Sequence, residues 1–166
     1  MELFLLRHAI AVARQGQSVH CDRERPLTRD GIRRLRRVAH GMRTLHIFPD
    51  RILTSSFLRA RETAEIVAAE LGCKAPEPTP HLEPGGDPES LLALLSERAD
   101  AAQRILLVGH EPALSSLASM LLSGDARMQI TMKKGGLCKL RIDHLRCGRC
   151  ARLVWLLTPR QLISTA

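Results

Sequence analysis

Four side chains from three distant places in the sequence could do chemistry together: Arg7, His8, Arg59 and His110. Taken singly, each has a plain structural explanation. A histidine after a strand is usually a hydrogen-bonded structural residue. An arginine in the first turn of a helix is usually on the surface, slightly disfavoured by the positive helix end. Held in one pocket, the four would join fixed positive charge to two imidazoles. Helices starting near Phe57 and Pro112 would add backbone N–H groups and partial positive charge. Such a pocket suits a phosphoryl group. Imidazole, with an ordinary pKa of ~6.5, is largely neutral near pH 7 and can attack phosphorus. Arginine forks supply the positioning and charge neutralisation that phosphoryl transfer needs. No metal or other cofactor is implied, because no Asp-rich or His-rich ligand cluster accompanies these residues.

The intervening pattern explains how the four could meet. Glu2 to Arg7 is an apolar run that ends at His8, followed by a polar stretch from Ala13 to Arg25. Thr28 can cap a helix running to about Leu45. Arg51 to Thr54 reads as a short buried strand, and Phe57 to Leu71 as a helix with Gly72 as its C-cap and Ser56 as its N-cap. Four prolines and two glycines between Cys73 and Gly86 argue against regular structure there. Asp87-Pro88 opens a helix to about Ala99. Arg104 to Val108 is a strand, and Gly109-His110-Glu111-Pro112 leads into a helix ending near Gly124. Cys138 to Leu145 and Ala151 to Leu157 read as strands of a closing hairpin, with Cys147-Gly148-Arg149-Cys150 at a tight turn. The alternation predicts an α/β fold: a three-layer α/β/α sandwich with a mostly parallel sheet and a C-terminal antiparallel hairpin. Ligands in such sheets sit beyond the C-terminal strand ends, where Arg7-His8, Ser55-Ser56 and Gly109-His110 all fall.

Length and composition set the frame. The 166 residues, 45% hydrophobic and 25% charged, suit a single globular domain spanning 1–166. No apolar run approaches the ~20 residues of a membrane span, and the start shows no secretory leader, so a cytoplasmic location is expected. The net charge of +8 comes mainly from arginine. Its densest run, Arg33 to Arg37 with Arg29 and Arg43 nearby, interleaves with Ile32, Leu35, Val38 and Met42 on one apolar helical face. That is a solvated surface rather than a nucleic-acid site, since no nucleic-acid motif accompanies it. The five cysteines, Cys21, Cys73, Cys138, Cys147 and Cys150, are an odd number and do not suggest a disulfide framework. Cys138, His144, Cys147 and Cys150 have zinc-ligand types, but a hairpin turn accounts for the last two without a metal.

The motifs resemble those of the histidine phosphatase superfamily, the phosphoglycerate mutase-like fold. Leu5-Leu6-Arg7-His8-Ala9 is similar to its Arg-His-Gly signature, with Ala9 where glycine is usual. Arg25-Pro26-Leu27-Thr28, Thr54 to Ala64 and Val108-Gly109-His110-Glu111-Pro112 match further segments in the same order. The resemblance implies that His8 accepts the phosphoryl group as a phosphohistidine, while Arg7, Arg59 and His110 bind its oxygens. Within the superfamily, the short length and the segment Leu82-Glu83-Pro84-Gly85-Gly86-Asp87 most resemble the SixA-type protein phosphohistidine phosphatases. The partner implied is a phosphorylated protein, or else a small phosphomonoester; neither nucleic acid nor membrane is expected.

Glu83 lies close to where the superfamily supplies a carboxyl group and is expected to donate the leaving-group proton, with Asp22, Glu24 and Asp87 as rivals. A phosphoramidate makes less demand on that acid than an alkoxide does, which favours phosphohistidine as substrate. Ser55 is expected to hydrogen-bond near the phosphate. Lys133 and Lys134, before Gly135-Gly136, read as exposed loop residues that could border the pocket mouth. His20 and Cys21 have no assignable role.

Overall fold

The computed structural model describes residues 1–13, 22–98 and 102–166. Among these, six strands form one sheet: β1 (Glu2–Arg7), β2 (Arg51–Thr54), β3 (Glu77–Pro78), β4 (Arg104–Gly109), β5 (Leu137–Ile142) and β6 (Ala151–Leu157). Their order is β3-β2-β4-β1-β5-β6. The first four in that order pair in parallel, whereas β5 joins β1 and β6 joins β5 antiparallel.

Strand side chains alternate between faces, and the apolar runs use both. Phe4, Leu6, Ile52, Leu106 and Val108 pack on one face against α1 (Arg29–Thr44), α2 (Leu58–Leu71) and the terminal α5 (Pro159–Ser164). Leu3, Leu5, Leu53, Ile105 and Leu107 pack on the other against α3 (Pro88–Arg98) and α4 (Ala113–Ser123). The result is the expected three-layer sandwich. Thr28 caps α1 through a 2.9 Å bond from Gly31 N, and Leu35, Val38 and Met42 are the buried face beneath the arginine-rich surface. Gly41 is required there, because a Cβ would lie 1.9 Å from the Leu162 carbonyl of α5.

Four expectations need correction. The segment from Cys73 to Gly86 is partly regular: Glu77 and Pro78 pair in parallel with Leu53 and Thr54, and Pro80–Leu82 form a 3-10 turn capped by Thr79. Pro78 is tolerated because β3 is an edge strand. The hairpin connection is not tight: eight residues separate Ile142 from Ala151, and Gly148, with φ of +88°, makes one bend within it. The hairpin does not close the fold either, since α5 follows with a capping box between Thr158 and Gln161. Lastly, Ser56 does not cap α2. Phe57 holds that position, and Phe57 N donates to Ser55 Oγ instead.

Candidate active site

The C-terminal ends of β1, β2 and β4 lie side by side, and this adjacency brings the distant side chains together. Arg7 aligns with Gly109 across the β1–β4 ladder, and His8 N donates to Gly109 O at 3.0 Å. Ser55 N donates to Val108 O at the end of β2. His8, Arg59 and His110 are all at least nine-tenths buried. Their cavity, of about 360 Å³, is walled by these three with Arg7, Arg25 and Lys134. The carboxyl-bearing residues Asp22 and Glu111 also line it.

His8 Nδ1 lies 2.7 Å from the Ala9 carbonyl oxygen. A carbonyl can only accept, so Nδ1 carries the proton and Nε2 holds the lone pair. Burial, with the cations Arg59, Arg7 and Lys134, pushes the His8 pKa down to about 4, against the pull of the Ala9 bond. His8 is therefore neutral at pH 7. His110 is pushed to about 3 by burial and by His8 and Arg59. Its ring centroid is 5.1 Å from that of His8. His110 Nε2 lies 2.9 Å from Ser55 Oγ, which already accepts from Phe57 N. With one acceptor position taken and its proton still to give, Ser55 is suited to donate to Nε2. That places the His110 proton on Nδ1, which is buried and has no hydrogen-bond partner among the described residues.

Arg7 is fixed by a 2.7 Å bond from Nη1 to Met132 O, while its buried Nε has no hydrogen-bond partner among the described residues. Arg59 donates from Nη1 to Asp22 O at 2.7 Å and from Nη2 to Asp22 Oδ2 at 3.2 Å. Asp22 Oδ1 accepts from Arg25 Nε at 2.9 Å. The guanidinium of Arg59 also packs over the Phe57 ring, 5.1 Å from its centroid, and that ring meets His110 edge-on. Thr63 ties two halves of the site together: its hydroxyl donates to Arg59 O at 2.6 Å and accepts from Ala9 N at 3.1 Å. Ala9 has none of the positive φ that would demand glycine.

The candidate acids separate. Glu83 Oε1 takes the Arg23 guanidinium at 2.7 Å and a short bond from Ser56 Oγ. Glu83 itself does not line the cavity; its neighbour Pro84 does. Asp87 caps α3 through Ser90, and Glu24 is exposed. Glu111 lines the cavity and accepts from Ser115 N at 3.2 Å. Arg25, Thr63 and Glu111 fall within the matching motifs, but nothing in the sequence alone assigns them a role. The signal for Thr63 was its place one helical turn after Arg59. His20 and Cys21 lie outside the described residues. Among the described residues no group of three His, Cys, Asp or Glu side chains could hold a metal ion. Cys138 is buried in β5, its thiol pushed up to about 12 by burial, while Cys150 Sγ donates to Arg146 O. No helix among the described residues is long and apolar enough to cross a membrane.

The chain is similar to known proteins over most of its length. A profile of the histidine phosphatase superfamily (branch 1) matches residues 3–83. An uncharacterized protein of Picosynechococcus sp. PCC 7002 is 41% identical over 88% of either chain. The chain belongs to the histidine phosphatase superfamily. Phosphohistidine phosphatase SixA of Escherichia coli is 29% identical, over 79% of this chain and 80% of its own. A solved structure of the protein histidine phosphatase SixA complexed with tungstate superposes with a TM-score of 0.83 at 28% identity. That match covers 98% of this chain and 99% of the other.

Proposed function

We propose that the chain is a protein phosphohistidine phosphatase that works through a phosphohistidine formed on His8. The observation that carries this reading is the His8 ring: neutral at pH 7, with Nδ1 bonded to Ala9 O, leaving the Nε2 lone pair for the cavity. In the first step Nε2 attacks phosphorus and the bond to the leaving group breaks. Positive charge develops on the His8 ring, and the Ala9 carbonyl bonded to Nδ1–H stabilises it. Arg7, Arg59 and His110 hold the non-bridging oxygens once the phosphoryl group has displaced Asp22 from Arg59. In the second step water attacks the phosphohistidine, phosphate leaves, and Nε2 recovers its lone pair.

Before substrate binds, Asp22 takes the Arg59 guanidinium, and an incoming phosphoryl group would exchange with it. The tungstate bound by the structurally similar SixA supports an oxyanion as the natural occupant. Glu83 and Glu111 are the proposed proton sources for the leaving group. For phosphohistidine as substrate, the departing group is an imidazole, which asks less of that donor than an alkoxide does. The similarity to SixA supports this substrate over a small phosphomonoester.

The test is hydrolysis of a phosphohistidine-bearing protein beside p-nitrophenyl phosphate, in EDTA, for the wild type and His8→Ala. Turnover favouring phosphohistidine and lost in the variant is expected. Turnover mainly of the ester would move the substrate to small molecules. Activity unchanged in His8→Ala would remove the nucleophile from the mechanism.

A further inference from the structure

A second cavity, of about 630 Å³, opens beside the first and shares two of its walls, Arg7 and Lys134. Arg34 of α1, Lys133 of the loop before β5 and Arg160 of α5 complete its charge, with Ile10 and Pro159 as apolar contacts. No Asp or Glu among the described residues lines it. Among the described residues, Arg34, Lys133, Lys134 and Arg160 have no carboxylate partner. Elsewhere on the surface Arg33 pairs with Asp30, Arg104 with Glu2 and Arg152 with Asp143.

The cations are also held at a set place relative to the nucleophile. Gly135 N donates to Arg7 O at 3.0 Å, and Arg7 N donates to Gly136 O at 3.2 Å. The turn carrying the two lysines is therefore stitched to the residue before His8. It needs its glycines: Gly135 has φ of +76°, and a Cβ on Gly136 would lie 2.9 Å from Lys133 O. From the other side, Pro159 Cβ lies 3.7 Å from the position a Gly135 Cβ would take, which seats the start of α5 against the same turn.

We propose that this groove is a docking subsite for an acidic segment of the phosphorylated protein. The proposal rests on the phosphoprotein reading above and names what that protein must carry near its phosphorylated residue. A volume of this size matches sites for ligands much larger than one phosphoryl group. The manner of display selects a polypeptide. The catalytic cavity grips its anion with buried, bonded groups such as Arg59, which is 4% exposed. In the groove, Arg34, Lys133, Lys134 and Arg160 are exposed and spread over three elements. That arrangement meets a string of carboxylates one by one and steers a charged partner toward the site.

The test uses a fluorescent poly-glutamate peptide, with tripolyphosphate as the competing probe, on the intact chain. One triple variant is Arg34→Gln, Lys133→Gln, Arg160→Gln. Its control removes the same charge on other elements, by Arg61→Gln, Arg141→Gln, Arg149→Gln. Each exposed ion pair contributes up to about fivefold in affinity, so the groove variant should weaken peptide binding about tenfold or more, and the control under about twofold. High salt should erase the difference. In turnover, the groove variant should raise KM for the phosphoprotein by the same factor and leave free phosphohistidine unchanged. Equal weakening by both variants would overturn the proposal, showing only diffuse charge. Tripolyphosphate outbinding the peptide, and lost with the groove, would overturn it in favour of a polyphosphate site. The peptide measurement needs no turnover, so inactivity of the wild type on phosphohistidine would fail the functional reading without deciding this one.

Discussion

Acid should destabilise this protein through His8 in a way that one substitution removes. The His8 pKa is about 4 when folded and ~6.5 in an unfolded chain, so below pH 6.5 the unfolded state binds the extra proton. Stability from this group is complete above pH 6.5 and is lost as pH falls from 6.5 to about 4. Between pH 7 and pH 4.5 the linkage relation gives a loss of about 2 kcal/mol for His8 alone. His110 adds a loss of the same sign. His8→Asn removes this titration, because the Asn amide can still donate to Ala9 O but cannot titrate. It also relieves the part of the His110 shift that His8 causes, a change of the same sign. Urea unfolding should be followed at both pH values for both proteins. The wild type should lose about 2 kcal/mol more than the variant, a midpoint difference on the order of 1 M urea. General effects of acid cancel in this double difference. Equal losses would refute the buried, neutral His8 on which the nucleophile argument stands.

Three further outcomes follow from the site. Arg59→Lys keeps the charge but loses the fork, and kcat/KM should fall on the order of 100-fold; near-wild-type turnover would mean that Arg59 serves Asp22 and Phe57 rather than the phosphoryl group. Thr63→Val leaves Ala9 N without its acceptor and should cost about 1–3 kcal/mol in thermal or urea unfolding. Thr63→Ser should restore most of that stability, and if it does not, the methyl group rather than the hydroxyl matters. Glu111→Gln should slow ester hydrolysis more than phosphohistidine hydrolysis, and more than Glu83→Gln does, because Glu111 lines the cavity while Glu83 is held by Arg23 and Ser56. The reverse order in a side-by-side kcat comparison would return the donor role to Glu83.

The parts of the fold legible in the sequence were those set by strong local patterns. The apolar runs before His8 and His110 are buried strands, and one strand-end rule put Arg7, His8, Ser55 and His110 at one edge. Contacts made in space were not legible. Ser56 looks like a cap from its position, yet its hydroxyl goes to Glu83 and Phe57 N takes Ser55. β3 is only two residues long and exists because β2 offers it an edge. Nothing local announces that Asp22 bonds Arg59, a contact across 37 positions. The final helix did leave a trace, the Thr158-Pro159 and Gln161 capping signature, but six residues give too short an apolar pattern to outweigh the hairpin beside it.

The position of β1 in the sheet has a consequence for how the protein comes to life. Its neighbours are β4 and β5, which register Glu2 against Arg104 and Arg141. His8 is therefore made well before the strands that come to flank it. A chain leaving the ribosome carries His8 long before Gly109, His110 and the lysine turn exist to enclose it. Loop closure over such separations is slow relative to local helix formation. Until β4 and β5 arrive, the imidazole should be hydrated, protonating near its ordinary pKa and unable to hold a phosphoryl group. The pocket is thus completed only once β4 and β5 have been made, and before then a growing chain has no half-built anion site.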